Sequence, residues 1–81
     1  MEPELQEALA ELLPDTPRGD LIDDLCLAAR ESMRRREVNS RNGGVVIAAL
    51  RREGLSWREI ERRTGISRTT AQRWAELPPK P

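Results

Sequence analysis

Apolar residues recur every three or four positions in two segments of the N-terminal half, residues 3–13 and residues 18–37. This spacing places the apolar side chains on one face of an α-helix. A turn with two prolines separates the segments, and either Thr16 or Asp20 can cap the second helix. The pattern therefore predicts two amphipathic helices, the first short and the second long.

The apolar pattern is interrupted at residues 39–44, where asparagine, serine and glycine favour caps and turns. Ser40 can start a further helix, which we predict to include residues 45–54. We place a boundary at this break. Residues 1–39 then form an acidic N-terminal helical segment, and residues 40–77 form a second unit.

Two short helical patterns meet within residues 56–77. Ser56 is followed three residues later by Glu59, which is the capping box of a helix start, in which each side chain satisfies a backbone amide. Gly65 can adopt the left-handed conformation that ends a helix, and Ser67 can cap the next helix. The whole chain is therefore predicted to be all-α, with two amphipathic helices followed by a tri-helical unit.

Five residues at this turn and around it follow a known arrangement: Ile60, Gly65, Ile66, Ser67 and Trp74. With them, residues 45–77 resemble the homeodomain-like, three-helix helix-turn-helix modules of bacterial regulators and of the DNA-binding ends of recombinases and transposases. In such modules the first helix packs across the other two, and the third helix, here residues 68–76, enters the major groove. The resemblance implies a bacterial, sequence-specific double-stranded DNA-binding protein that regulates transcription.

Three positions depart from the usual pattern of these modules. Glu61 stands where a small alanine is common, Thr64 where leucine is common, and Ala71 where a branched apolar residue is usual. In the family the first of these positions lies where two helices approach closely, and a buried unpaired carboxylate is costly. We therefore expect Glu61 to pair with Arg68 or Arg73, which would withdraw that arginine from DNA.

The formal net charge of zero conceals a steep asymmetry along the chain. Residues 1–31 contain nine acidic and two basic residues, whereas residues 32–81 contain five acidic and twelve basic residues. Such a division suggests a basic end for nucleic acid joined to an acidic end with another role. The arginine triplet at residues 34–36 has two interpretations, a solvated helix end that suits the helix dipole or a phosphate contact.

The residue types argue against catalysis and against a bound cofactor or metal. The chain has no histidine, the usual base for a serine or cysteine nucleophile, and its single Cys26 excludes an internal disulfide and a multi-cysteine zinc site. Neighbouring Asp23 and Asp24 point in different directions on a helix, and residues 43–44 lack the context of a phosphate loop. We expect a non-enzymatic protein in which Cys26 is a buried structural thiol.

The sequence contains neither a signal peptide nor an apolar run of about 18 residues. We therefore expect a cytoplasmic, nucleoid-associated protein. The start at Met1 and the Pro-rich tail at residues 78–81, which cannot continue a helix, favour a complete small protein.

The start of a recognition helix meets the base edges of DNA, so the first turns of the third helix carry the candidate base contacts. Arginine can pair bidentately with guanine, glutamine with adenine, and a threonine methyl can pack on thymine. Taken singly, each arginine also fits a charged, solvated helix face. The candidate base contacts are Arg68, Thr69, Gln72 and Arg73, and the candidate phosphate contacts are Ser56, Arg58, Ser67 and Thr70.

The apolar face of the two N-terminal helices suggests a homodimer interface that sets two recognition helices one DNA turn apart, about 34–36 Å. In the competing interpretation, the same side chains fold back on the C-terminal unit and form the core of a monomer. The candidate interface residues are Leu5, Leu9, Leu12, Leu21, Ile22, Leu25 and Ala29.

Two other functions stay open at this point. The acidic helices suit an interaction adaptor that binds another regulator or a polymerase subunit, because helix-turn-helix folds also serve protein contacts. The chain also fits the DNA-binding part of a mobile-element protein that lacks its catalytic domain.

Overall fold

The structure, a computed structural model, describes residues 2–35 and 41–76. Within these two ranges the chain forms five α-helices and no strand, so the prediction of an all-α fold is confirmed. None of the helices in these ranges has the length and apolar character needed to cross a bilayer. The helices are α1 (Pro3–Leu12), α2 (Leu21–Arg35), α3 (Arg41–Arg52), α4 (Trp57–Thr64) and α5 (Arg68–Ala75).

α2 begins at Leu21 and not near Arg18 as predicted, because Asp20 caps it. Of the two candidate caps, it is Asp20 rather than Thr16 that accepts the hydrogen bond, from the amide of Asp23 to Oδ1 at 3.1 Å. Arg18 lies in the preceding turn, where its guanidinium donates hydrogen bonds to two carbonyl oxygens. The side-chain cap therefore decides where the helix starts.

Three predicted features lie outside the described residues. They are the end of the second helix at Glu37, the helix start at Ser40 and the tail at residues 78–81.

Gly43 and Gly44 lie inside α3, which begins at Arg41, so the break predicted at residues 39–44 is wrong from Arg41 onward. Both glycines lie where neighbouring helices approach α3 closely. A Cβ atom on Gly43 would lie 2.7 Å from Ser32 Oγ and 2.8 Å from the Trp74 ring, and one on Gly44 would overlap the Trp74 carbonyl oxygen. Close packing with α2 and α5 therefore explains two residues of low helix propensity within a helix.

α3 is the central element, because it contacts each of the other four helices. A single hydrophobic cluster takes buried side chains from all five helices and extends across the boundary placed at residue 39. Burying a large aliphatic side chain of this kind contributes about 1.5–3 kcal/mol. The largest fully buried apolar side chains are Leu9, Leu12, Leu25, Val46, Ile47, Leu50, Ile60 and Ile66.

The apolar residues considered for a dimer interface are part of this core. α1 and α2 pack against α3 of the same chain, which is the arrangement of the competing monomer-core interpretation. In this arrangement these side chains are not available to a second copy, so a dimer would need another surface. Leu5, Leu9, Leu12, Leu25 and Ala29 are buried, and Leu21 and Ile22 are partly buried against the cluster.

Cys26 is buried in α2, as expected for a structural thiol. Burial raises the pKa of this thiol and outweighs the lowering by the nearby guanidinium groups of Arg63 and Arg30. Because the thiolate is the reactive form, we expect this buried thiol to react slowly in the folded protein.

Candidate nucleic-acid interface

α4 starts where the sequence predicts, but only half of the capping box forms. Ser56 Oγ accepts a hydrogen bond from the amide of Glu59 at 3.1 Å. The carboxylate of Glu59 instead accepts a hydrogen bond from Arg62 at 2.6 Å and lies 3.7 Å from Arg63 Nε. The hydrogen bond from Arg62 lowers the pKa of Glu59. Glu59 therefore offsets the charge of two arginines on its own helix.

The turn between α4 and α5 is built by Gly65 and Thr64. Gly65 has a φ of 77°, in the left-handed region, and its amide donates to the carbonyl of Glu61 at 2.8 Å. The buried hydroxyl of Thr64 donates to the carbonyl of Ile60 at 2.7 Å and accepts from the amide of Ile66 at 3.1 Å. Buried polar groups need such partners. This explains threonine at a position where the resembling modules commonly have leucine.

The start of α5 carries the predicted serine cap. Ser67 Oγ accepts a hydrogen bond from the amide of Thr70 at 3.2 Å and donates one to Thr70 Oγ1 at 3.0 Å. Three of the four candidate phosphate contacts, Ser56, Ser67 and Thr70, thus already hold hydrogen bonds within the chain. Their first role is to fix the two helix starts.

The four candidate base contacts lie on the outer side of α5. Arg68, Thr69 and Arg73 are exposed and Gln72 is partly exposed, whereas Ala71 is fully buried on the opposite side. Within the described residues, Arg68 and Arg73 have neither a hydrogen bond to their guanidinium groups nor an ion pair. α5 therefore presents two uncompensated positive charges beside a hydroxyl and an amide.

The arginines at the end of α3 are occupied by other contacts. The guanidinium carbon of Arg51 lies 4.6 Å from the ring centroid of Trp57, and Arg51 also donates to the carbonyl of Leu55 at 3.0 Å. Arg52 Nη2 lies 2.7 Å from a carboxylate oxygen of Glu2. Sequence reasoning missed both contacts, because one spans a turn and the other joins residues fifty positions apart.

Two further exposed charges are Arg58 on α4 and Glu76 at the end of α5. Arg58 of α4, a candidate phosphate contact, has no ion pair within the described residues. Glu76 follows α5 directly and is exposed. Its helical spacing of three from Arg73 places it on the same side as the candidate base contacts. This carboxylate would repel phosphate, and its spacing was readable in the sequence.

The expectation that Glu61 is buried and paired with an arginine is wrong. Glu61 is exposed on α4, and in the described ranges neither Arg68 nor Arg73 forms an ion pair with it. A carboxylate that stays hydrated at the surface needs no ion-pair partner. Both arginines of α5 therefore stay free of this acid.

Two arginines of the triplet, Arg34 and Arg35, are bonded to an acid on their own helix. Arg34 donates two hydrogen bonds to the carboxylate of Glu31, at 2.9 and 2.6 Å, and Arg35 donates one at 2.8 Å. These bonds lower the pKa of Glu31 to about 2 and raise that of Arg34. Arg36 lies outside the described residues. The contacts favour the helix-end interpretation for Arg34 and Arg35 over a phosphate contact.

No family model, curated protein or solved structure matches the chain. Among the described residues, no group of three or more histidine, cysteine, aspartate or glutamate side chains is placed to hold a metal ion.

Proposed function

We propose that this protein binds double-stranded DNA through the outer side of α5 and acts as a small sequence-specific transcriptional regulator. The main support is that the arginines of α5 have no acidic partner within residues 2–35 and 41–76, whereas other arginines of the molecule do. Arg68 and Arg73 lack partners in the described residues, whereas Arg52, Arg62 and Arg63 lie beside acids of their own chain.

The chemistry of the side chains on α5 suits the major groove. Arginine pairs bidentately with guanine and glutamine with adenine, and each such pair discriminates by about 1–3 kcal/mol. The guanidinium groups of Arg68 and Arg73 need not leave an ion pair to reach a base. Thr69 between them in the sequence offers a methyl group for thymine, and the cap at Ser67 fixes where α5 starts.

Arg58 extends the positive surface onto α4 and is proposed to contact phosphate. Ser56, Ser67 and Thr70 support binding mainly by holding the helix starts, where backbone amides favour anions. The resemblance of residues 45–77 to helix-turn-helix modules supports the same surface. We also propose that the protein is bacterial, cytoplasmic and nucleoid-associated and acts as a homodimer.

Fluorescence anisotropy with a labelled random-sequence duplex tests the proposal across a salt series. The variant replaces Arg68, Gln72 and Arg73 with alanine. A matched control replaces Arg52 and Arg62, which removes the same charge from arginines already bonded to acids. Tryptophan fluorescence verifies that each protein is folded.

We expect the α5 variant to lose most of its affinity and the control to lose little. On random-sequence DNA, where the preferred bases are mostly absent, Arg68 and Arg73 should neutralise phosphates, so the slope of log K against log salt should become less steep by about 2 in the α5 variant. Equal losses in both variants would show that only net charge matters. If no protein binds at low salt, DNA binding is excluded, and the acidic helices become the place to search for a protein partner.

A further inference from the structure

α2 presents an exposed stripe that no other helix covers. Its residues follow each other at intervals of three and four, the spacing of one helix face. Leu27 at its centre is 41% exposed, and is one of the two large hydrophobic side chains that are exposed in the described residues. The members of this α2 stripe are Asp20, Asp23, Leu27, Arg30 and Arg34.

The charges along the α2 stripe are acidic before its centre and basic after it. Asp20 and Asp23 lie seven and four residues before Leu27, and Arg30 and Arg34 lie three and seven residues after it. A helix of this kind is complementary to itself when a second copy runs antiparallel. Asp23 then faces Arg30 of the second copy, Asp20 faces Arg34 and the two Leu27 side chains meet on the two-fold axis. A contact that matches its own surface in this way closes as a dimer.

We propose that the α2 stripe is the interface of a two-fold homodimer in which the two α2 helices pack antiparallel. The proposal rests on the homodimer of the proposed function. It places the dimer interface on the exposed α2 stripe and not on the leucines that are buried in the core. It does not require DNA, so the two can be tested separately.

The charged side chains of the stripe are exposed, and Asp20 caps α2 through only one of its carboxylate oxygens, Oδ1. Arg30 has no hydrogen bond or ion pair to its guanidinium in the described residues. The side chain of Asp23 is 71% exposed, with Arg63 at 4.0 Å, and that of Arg34 is 73% exposed although it contacts Glu31. Exposed ion pairs of this kind break at little cost.

The expected dimer is weak. A helix of fifteen residues is about 22 Å long, and one pair of such helices buries less than the roughly 1,200 Å² of a stable complex. We therefore expect a Kd on the order of 10–100 µM. Salt should weaken it, because the charge pairs lie at the rim.

Sedimentation equilibrium without DNA tests the centre of the stripe. Leu27→Glu sets two carboxylates against each other on the axis and should raise the Kd at least tenfold. Ala10→Glu, an exposed position on α1, is the control and should leave the Kd unchanged. Circular dichroism melts verify that both variants fold. A wild-type protein that is monomeric up to about 0.5 mM, where such a Kd gives mostly dimer, would overturn the proposal.

A charge exchange tests the antiparallel register. Arg30→Glu places an acid opposite Asp23 of the second copy, and Asp23→Arg places a base opposite Arg30. Each variant alone should be monomeric, whereas an equimolar mixture should dimerise, because both contacts then join opposite charges. Glu7→Arg, on α1, is the control for a changed surface charge.

A mixture that stays monomeric, or variants that dimerise as well as the wild type, contradicts the register. If the dimer fails while anisotropy still shows binding that depends on α5, only this proposal falls and the proposed function stands. If the dimer forms but DNA does not bind, the proposed DNA-binding function falls and the dimer interface stands.

Discussion

α4 and α5 are alike in length and start but differ in what surrounds their arginines. Each has eight residues and begins at a serine whose hydroxyl accepts a hydrogen bond from the amide three residues on. α4 contains Glu59 in its first turn, and this acid forms ion pairs with two arginines of the same helix. α5 has no acid in its first turn, and its arginines stay free in the described residues. The difference is that the acid in the first turn of α4 pairs with two of its arginines, whereas α5 lacks such an acid and its arginines have no ion pair in the described residues.

The largest expected effect concerns the turn that joins these two helices. Thr64→Val removes the hydroxyl that accepts from the amide of Ile66 and leaves that buried amide without a partner. We expect a loss of about 1–3 kcal/mol in the free energy of unfolding, measured by urea denaturation with tryptophan fluorescence. Thr69→Val, the same change on the exposed side of α5, should cost less than about 0.5 kcal/mol. Equal losses would show that the hydroxyl of Thr64 does not hold the turn.

The next effect comes from giving α5 the acid that α4 has. Thr69→Glu places a carboxylate four residues before Arg73, the same spacing as Glu59 and Arg63. The new ion pair should lower DNA affinity about tenfold at low salt, or about 1.4 kcal/mol, as measured by anisotropy. Thr69→Gln is the control of similar size without charge. If both variants bind alike, the availability of Arg73 does not limit binding.

The converse change should have a smaller effect. Glu59→Gln releases Arg62 and Arg63 from their acid, and we expect random-sequence DNA to bind about two- to fivefold more tightly at low salt. Glu53→Gln removes an exposed acid that follows α3 and serves as the control for net charge. Tighter binding by the same factor in the control would assign the effect to net charge and not to the released arginines.

The smallest effect is a pH dependence of stability at the end of α2. The pKa of Glu31 is lowered from 4.5 to about 2 by Arg34 and Arg35. A lowered folded-state pKa stabilises the protein above the unfolded value, and this contribution is lost as the pH falls from about 4.5 to about 2. The group is exposed, so the loss should be small. Thermal melts from pH 5 to pH 2.5 should show a smaller decrease for Glu31→Gln than for the wild type, and identical decreases would contradict the assignment.

Local signals in the sequence predicted the start and end of α4 and the start of α5. Ser56, Gly65 and Ser67 act on backbone groups within a few residues of themselves, so their roles can be read without the fold. The sequence alone could not decide which residue caps α2. Thr16 and Asp20 both offer a suitable side-chain oxygen, and only the path of the turn between the helices selects Asp20.

Features that depend on distant contacts could not be predicted. Gly43 and Gly44 look like a break, yet they accommodate Trp74 about thirty residues away. Glu61 was expected to be buried by analogy with the resembling modules, but the side chain lies in solvent here. The candidate base contacts share one exposed helix side, as the spacing suggested, but their function stays a prediction.

The position of α3 at the centre of the molecule links the stability of all five helices. Because each of the others packs on it, α5 and the acidic α1 should unfold in one transition, as small domains usually do. A ligand that binds only the folded form of α5 then stabilises the entire chain by mass action. The C-terminal unit should therefore not fold when it is fused alone to another protein. Removal of α1 and α2 would expose the apolar side of α3, so a fusion protein needs all five helices to keep the binding surface.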